Sequence, residues 1–159
     1  MLTQIDLHFF KCFELLRLPL GPLTLLSGPN ASGKSSILQA LVLLHQTMRE
    51  HEWSTRLMLN GASIRLGTVS DVVDKVHGRS NFEIGVVDDD VQYHWRFVGD
   101  RSEMSMAVEC VVVGDTVTKE PEMLRHLLLP TSDGTVSSLA NRLRGLTYIT
   151  AERVGPQEV

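Results

Sequence analysis

Hydrophobic and polar positions alternate from the first residues. Leu2, Ile5 and Leu7 are apolar, with Thr3, Gln4, Asp6 and His8 between them, which predicts a strand over 2–10. Residues 13–18 predict a second strand. The chain breaks at Leu20-Gly21-Pro22, and Leu23–Ser27 reads as a short apolar strand containing the β-branched Thr24. From Lys34 the period changes. Ile37, Leu38, Leu41, Val42, Leu44 and His45 recur at threes and fours, predicting a helix with a wide apolar face to about Glu50.

The middle of the chain is β-rich. Residues 57–61 and 64–67 form a candidate strand pair around the Asn60-Gly61 turn, and Ser70 is a candidate N-cap of a short helix. Phe82, Ile84 and Val86 alternate, as do Val91, Tyr93, Trp95 and Phe97, and Met104–Val113 continues as a third strand. With turns at Asp88–Asp90 and Gly99–Arg101, this predicts an antiparallel meander whose aromatic residues form sheet core. Segments 120–129 and 136–144 predict helices, and Leu146–Thr150 a last strand.

Composition narrows the function. The 159 residues suit one domain. A net charge of −4 supplies no bulk positive field for nucleic acid. The longest apolar run, Leu41–Leu44, falls far short of the roughly 20 residues that span a bilayer. Asp6, Lys11, Glu14 and Arg17 interrupt the N-terminal apolar positions, which argues against a signal peptide. The expected location is cytoplasmic, with no membrane partner. Cys12 and Cys110 cannot form a disulfide framework or a zinc site by themselves and are expected to be buried apolar residues in a reducing compartment. His45 and His51 are read as a favourable cation near a helix end and a loop residue. The six histidines show no zinc spacing.

One motif carries chemistry. Gly28-Pro29-Asn30-Ala31-Ser32-Gly33-Lys34-Ser35 fits G-x-x-x-x-G-K-[ST], the phosphate-binding loop. Gly28 and Gly33 allow backbone angles that turn successive N–H groups toward phosphate oxygens. Lys34 reaches the β- and γ-phosphates as a point charge and is the candidate catalytic residue. Ser35 offers its hydroxyl to Mg²⁺, and Ser36 is placed for the α-phosphate. The following helix adds its N-terminal amides and dipole. ATP and Mg²⁺ are therefore the expected cofactors. Hydrolysis also needs a carboxylate on the metal side and a group that positions water. Asp88, Asp89 and Asp115 follow apolar runs, but their positions read as hairpin turns.

Phe10-Lys11-Cys12-Phe13 between two strands, then Leu23–Ser27 leading into Gly28–Ser36-Ile37-Leu38, resembles the N-terminal lobe of an ABC-type ATPase head of the SMC/RecF/OLD kind. Phe9 stands where that pattern has Asn. Residues 59–73 and the tail Leu146–Pro156 are similar to segments of bacterial SMC-like AAA-family ATPases of anti-phage defence modules. The resemblance implies an α/β fold, a P-loop NTPase lobe with an antiparallel β-subdomain. It divides the chain into 1–50 (strands, phosphate loop, first helix), 51–130 (β-rich subdomain) and 131–159 (helix, strand, Q-loop-like segment). It also implies that Lys11 lies close to the nucleotide and that Glu152, Arg153 and Gln157 lie in the Q-loop region.

The same resemblance places the signature motif, the Walker B carboxylates and a switch histidine on a C-terminal lobe that these residues lack. It leaves an apolar sheet edge exposed at Leu146–Thr150 and predicts negligible ATPase activity for these residues alone. In the intact molecule it implies a homodimer or higher homo-oligomer through the ATPase heads, with nucleotide binding regulating an assembly or a nuclease or toxin effector in anti-phage defence or DNA repair. DNA or RNA would be bound through the missing parts. Two alternatives remain open: a non-hydrolytic scaffold clamped by ATP, and a small P-loop nucleotide kinase, against which the β-rich 81–113 segment argues.

Overall fold

A computed structural model describes residues 1–27, 33–73 and 78–149. Its strands are β1 (Leu2–Phe10), β2 (Phe13–Pro19), β3 (Arg56–Met58), β4 (Asn81–Asp88), β5 (Val91–Val98), β6 (Ser105–Val113) and β7 (Thr116–Lys119). They form a 7-stranded sheet in the order β2-β1-β4-β5-β6-β3, with β7 also on β6, and every pairing is antiparallel. The helices are α1 (Lys34–Glu50), α2 (Val69–Val72) and α3 (Ser138–Arg144).

Alternation decides which sheet face is covered. Ile5, Leu7, Phe82, Ile84, Trp95, Phe97, Met106 and Val111 share one core with Ile37, Ala40, Leu43, Leu44 and Met48 of α1. Phe10, Phe82 and Phe97 run through it as a chain of tilted rings, with centroids 5.0 and 5.4 Å apart. Trp95 is fully buried, and its indole N–H donates to the Leu127 carbonyl at 2.7 Å.

The back half of α1 is enclosed, every residue from Val42 to Met48 being buried. Its polar residues are therefore paired. The Thr47 hydroxyl accepts from Met58 N (3.0 Å), Gln46 Oε1 accepts from Ile64 N (3.1 Å), and His45 Nδ1 lies 2.7 Å from the Leu143 carbonyl of α3. His45 is thus a buried tie between two helices. Asp88 is likewise buried beneath the β4–β5 turn, with Arg142 Nε of α3 at 2.9 Å and the N-terminal ammonium at 3.2 Å. Both cations meet the same carboxylate oxygen, Oδ1.

Several expectations are corrected. Leu23–Ser27 forms no strand, and Leu23 and Leu25 are 80% and 84% exposed. Leu146–Ile149 also forms no strand, and Ile149 is 78% exposed; Thr150 lies outside the described residues. Apolarity alone does not make a strand, since the backbone groups need a neighbour and none of the described strands pairs with either segment.

The helix expected over 120–129 is absent. Glu120, His126 and Leu127 take φ of 47, 52 and 60°, which no helical ladder accommodates. Arg125 and Leu128 instead close a tight turn with reciprocal backbone bonds of 2.8 and 3.0 Å. β3 pairs with β6, leaving only an Asn60–Arg65 bridge of the strand pair expected there. α2 is capped by Thr68 in a capping box with Asp71, not by Ser70. Cys12 is exposed because it sits on the β1–β2 turn, and Cys110 is half-buried. The β4–β5 meander stands in full register, and its tip residues Asp89 and Asp90 both take positive φ, as a two-residue hairpin turn requires.

Candidate nucleotide site

The site begins where α1 begins. Gly33 is the N-cap at φ 88°, ψ 14°, and among the described residues neither a side-chain cap nor an acidic first-turn residue occupies this end. Most helices fill that position with a Ser, Thr, Asp or Asn oxygen. An uncapped N-terminus without a carboxylate presents amide donors and the positive end of the dipole to an anion. Lys34 and Ser36 are half-buried there, and Ser35 is exposed.

The β1–β2 turn forms a wall beside this end. A Cβ on Gly33 would stand 2.6 Å from Cys12 Sγ and 2.7 Å from Phe13 Cζ, so the residue must be glycine both for its backbone angle and for this approach. Lys11 takes φ 52°, its N–H donates to the Val72 carbonyl at 2.8 Å, and its ammonium donates to Gln39 Oε1 of α1 at 2.6 Å. The structure therefore sets the Lys11-Cys12-Phe13 turn against Gly33 and the first turns of α1. Gly28, Pro29, Asn30, Ala31 and Ser32 lie outside the described residues, as do Glu152, Arg153 and Gln157.

Gln39 was not among the residues singled out from sequence. Its signal was a polar position four residues beyond Ser35, hence on the same helix face. Among the described residues no group of three or more His, Cys, Asp or Glu side chains could hold a metal ion. The exposed Ser35 hydroxyl suits Mg²⁺, which takes few protein ligands and completes its shell with phosphates and water. Asp115 lies in the β6–β7 turn and Asp88 in its ionic contact with Arg142 and the N-terminus, so neither stands at this helix end. On the outer sheet face, His94 bonds Glu83 at 2.6 Å and holds its carboxyl below the usual range against the opposing effect of burial.

With this geometry in hand, the comparisons define the class. Residues 1–97 match the family described as AAA ATPase domain, and the chain belongs to that family. It is 48% identical over 44 residues to an OLD nuclease of Thermus scotoductus, a match covering 28% of this chain and 8% of that protein. It is 31% identical over 87 residues to the DNA replication and repair protein RecF of Limosilactobacillus fermentum, covering 54% of this chain and 23% of that one. The matches thus span only a small part of these curated relatives.

A solved structure from work on ATP-driven dimerization and DNA-stimulated activation of SMC ATPases aligns with 90% of this chain and 96% of that chain, at 17% identity and a TM-score of 0.43. The chain is thus an AAA ATPase domain that is similar, over part of its length, to an OLD nuclease and a RecF protein. Among the described residues no helix is long and apolar enough to cross a membrane.

Proposed function

We propose that Gly28–Ser36 binds ATP·Mg²⁺ and that the chain is the first lobe of an ATPase head. The N-terminus of α1, which among the described residues has no side-chain cap and no acidic first-turn residue, carries this reading beside the Lys11 turn. Lys34 neutralises the β- and γ-phosphates and Ser35 holds Mg²⁺, while Lys11 from the β1–β2 turn and Gln157 from the tail complete the surround. These residues position and stabilise charge, which is most of phosphoryl-transfer catalysis. They include no water-activating acid, so hydrolysis needs a second lobe. The division into 1–50, 51–130 and 131–159 belongs to this reading. In the intact cytoplasmic protein two heads sandwich nucleotide, and their association regulates an effector such as a nuclease in anti-phage defence or repair.

The all-antiparallel sheet supports this head over a small nucleotide kinase, which would stack parallel βα units. Titration of the chain with a fluorescent ATP analogue and Mg²⁺ tests the reading. Saturable binding abolished by Lys34→Ala and made Mg²⁺-independent by Ser35→Ala is expected. Binding indifferent to Lys34 would sink it, and so would ATP turnover by these residues alone for the claim about the second lobe.

A further inference from the structure

We propose that Gln39 is a positioning residue for the nucleotide site, holding the Lys11 ammonium toward the phosphates. The inference rests on the reading of Gly28–Ser36 as an ATP site. Lys11 and Gln39 are 28 residues apart in sequence, yet Lys11 Nζ donates to Gln39 Oε1 at 2.6 Å, a short bond for an ammonium and a neutral acceptor.

The placement on the helix matters. Gln39 follows Ser35 by four residues, so both side chains lie on one face, about 6 Å apart along the axis at 1.5 Å per residue. The bond therefore anchors the tip of Lys11 one turn below the hydroxyl assigned to Mg²⁺. The backbone of the same turn is already fixed, by the Lys11 N–H on Val72 and by Cys12 and Phe13 against Gly33. The bond to Gln39 adds a fixed point for the long lysine side chain, whose rotamer freedom is among the largest of any residue. A neutral amide at this position adds no negative charge of its own, whereas a carboxylate there would compete with phosphate for the ammonium.

A double-mutant cycle on the whole chain tests this, with affinity for methylanthraniloyl-ATP and Mg²⁺ as the readout. Gln39→Leu is expected to weaken binding about threefold to tenfold, the size of the ordinary net contribution of one hydrogen bond. In the Lys11→Met background it should cost nothing further, because its effect runs through Lys11. Gln39→Met, which keeps the side-chain length, replaces the leucine variant if thermal melting shows that variant unfolding early. A loss that persists in the Lys11→Met background means that Gln39 merely supports the helix and overturns the inference. Unchanged binding by Gln39→Leu overturns it as well, while the ATP reading stands. A wild-type chain that binds no nucleotide overturns both.

Discussion

The Arg79 guanidinium lies 3.6 Å from the centre of the Phe9 ring, and Phe9 stands in the left-handed region at φ 60°. Asn is the residue that the resembled pattern has here, and Asn tolerates this backbone better than most. The pairing of β1 with β4 ends at His8–Glu83, after which Phe10 bridges Val73 and Lys11 bonds Val72, so Phe9 is where β1 changes neighbours. A phenylalanine at this bend costs about 1–2 kcal/mol of backbone strain. A cation–π contact contributes about 0.5–2 kcal/mol. Arg79→Ala should therefore destabilise the wild-type chain by about 1 kcal/mol in urea unfolding and have almost no effect in a Phe9→Asn background. Equal losses in both backgrounds would show that Arg79 acts elsewhere.

Gly33→Ala should be worse than a glycine-to-alanine change in an ordinary helix. The new methyl group meets Cys12 Sγ and the Phe13 ring at 2.6 and 2.7 Å, at a φ of 88°. Left-handed strain alone is about 1–2 kcal/mol, and a chain of this size loses about 2–4 °C in melting temperature per kcal/mol. A drop of about 4 °C or more is expected. Cys12→Ala should relieve only part of it, because the ring remains.

The same closeness makes Cys12 a reporter. In a Cys110→Ala background, maleimide should label exposed Cys12, and Mg·ATP should slow the labelling. Labelling indifferent to saturating nucleotide would place the ligand elsewhere.

Sequence periodicity revealed what local chemistry controls. The β4–β5 hairpin was legible because inward Phe82, Ile84, Trp95 and Phe97 alternate on both sides of an acidic turn. The start of α1 was legible because Gly33 and Lys34 end a known loop pattern. The failures share a cause. Leu23–Ser27 and Leu146–Ile149 read as strands because they are apolar, but a strand is a property of a pair, and neither has a partner among the described residues. Residues 120–129 read as helix. The Trp95 bond to the Leu127 carbonyl and the bond from His126 N to the Glu52 carbonyl bend that segment into a turn instead. Gln39 went unremarked because its partner Lys11 sits on another element.

His126 gives the chain a pH dependence whose sign is fixed. It is buried at φ 52°, and burial, followed by the charge on Arg144, holds its imidazole below the ordinary 6.5. The folded state therefore prefers the neutral ring, and the unfolded chain binds the extra proton first. Stability is complete above the unfolded value near 6.5, falls as pH drops through that value, and levels off below the folded one. Glu83, Asp89 and Asp133 are also held low, Asp133 at about 2 by bonds from Thr135 and Thr131, but carboxylates titrate below this window. Urea midpoints at pH 7.5 and 5.5 should differ in the wild type and converge in His126→Asn, which does not titrate and tolerates the left-handed backbone. A wild-type difference retained by that variant would assign the effect to another group.

Leu23, Leu25 and Ile149 expose large apolar side chains on segments that pair with no described strand. Substituting side chains that bury almost nothing changes stability by only about 0.5 kcal/mol either way. The double variant Leu23→Ser/Leu25→Ser should thus melt within about 2 °C of the wild type by the size scaling given above. It should also bind less hydrophobic dye and stay monomeric to higher concentration, because scattered apolar exposure on unpaired backbone is what drives association. If, as proposed, the chain is the first lobe of a longer protein whose second lobe covers these segments, the same pair of substitutions there should lower the melting temperature by several degrees. Equal tolerance in the chain and in the longer protein, measured side by side by calorimetry, would mean that these leucines face solvent in both and that the second lobe docks elsewhere.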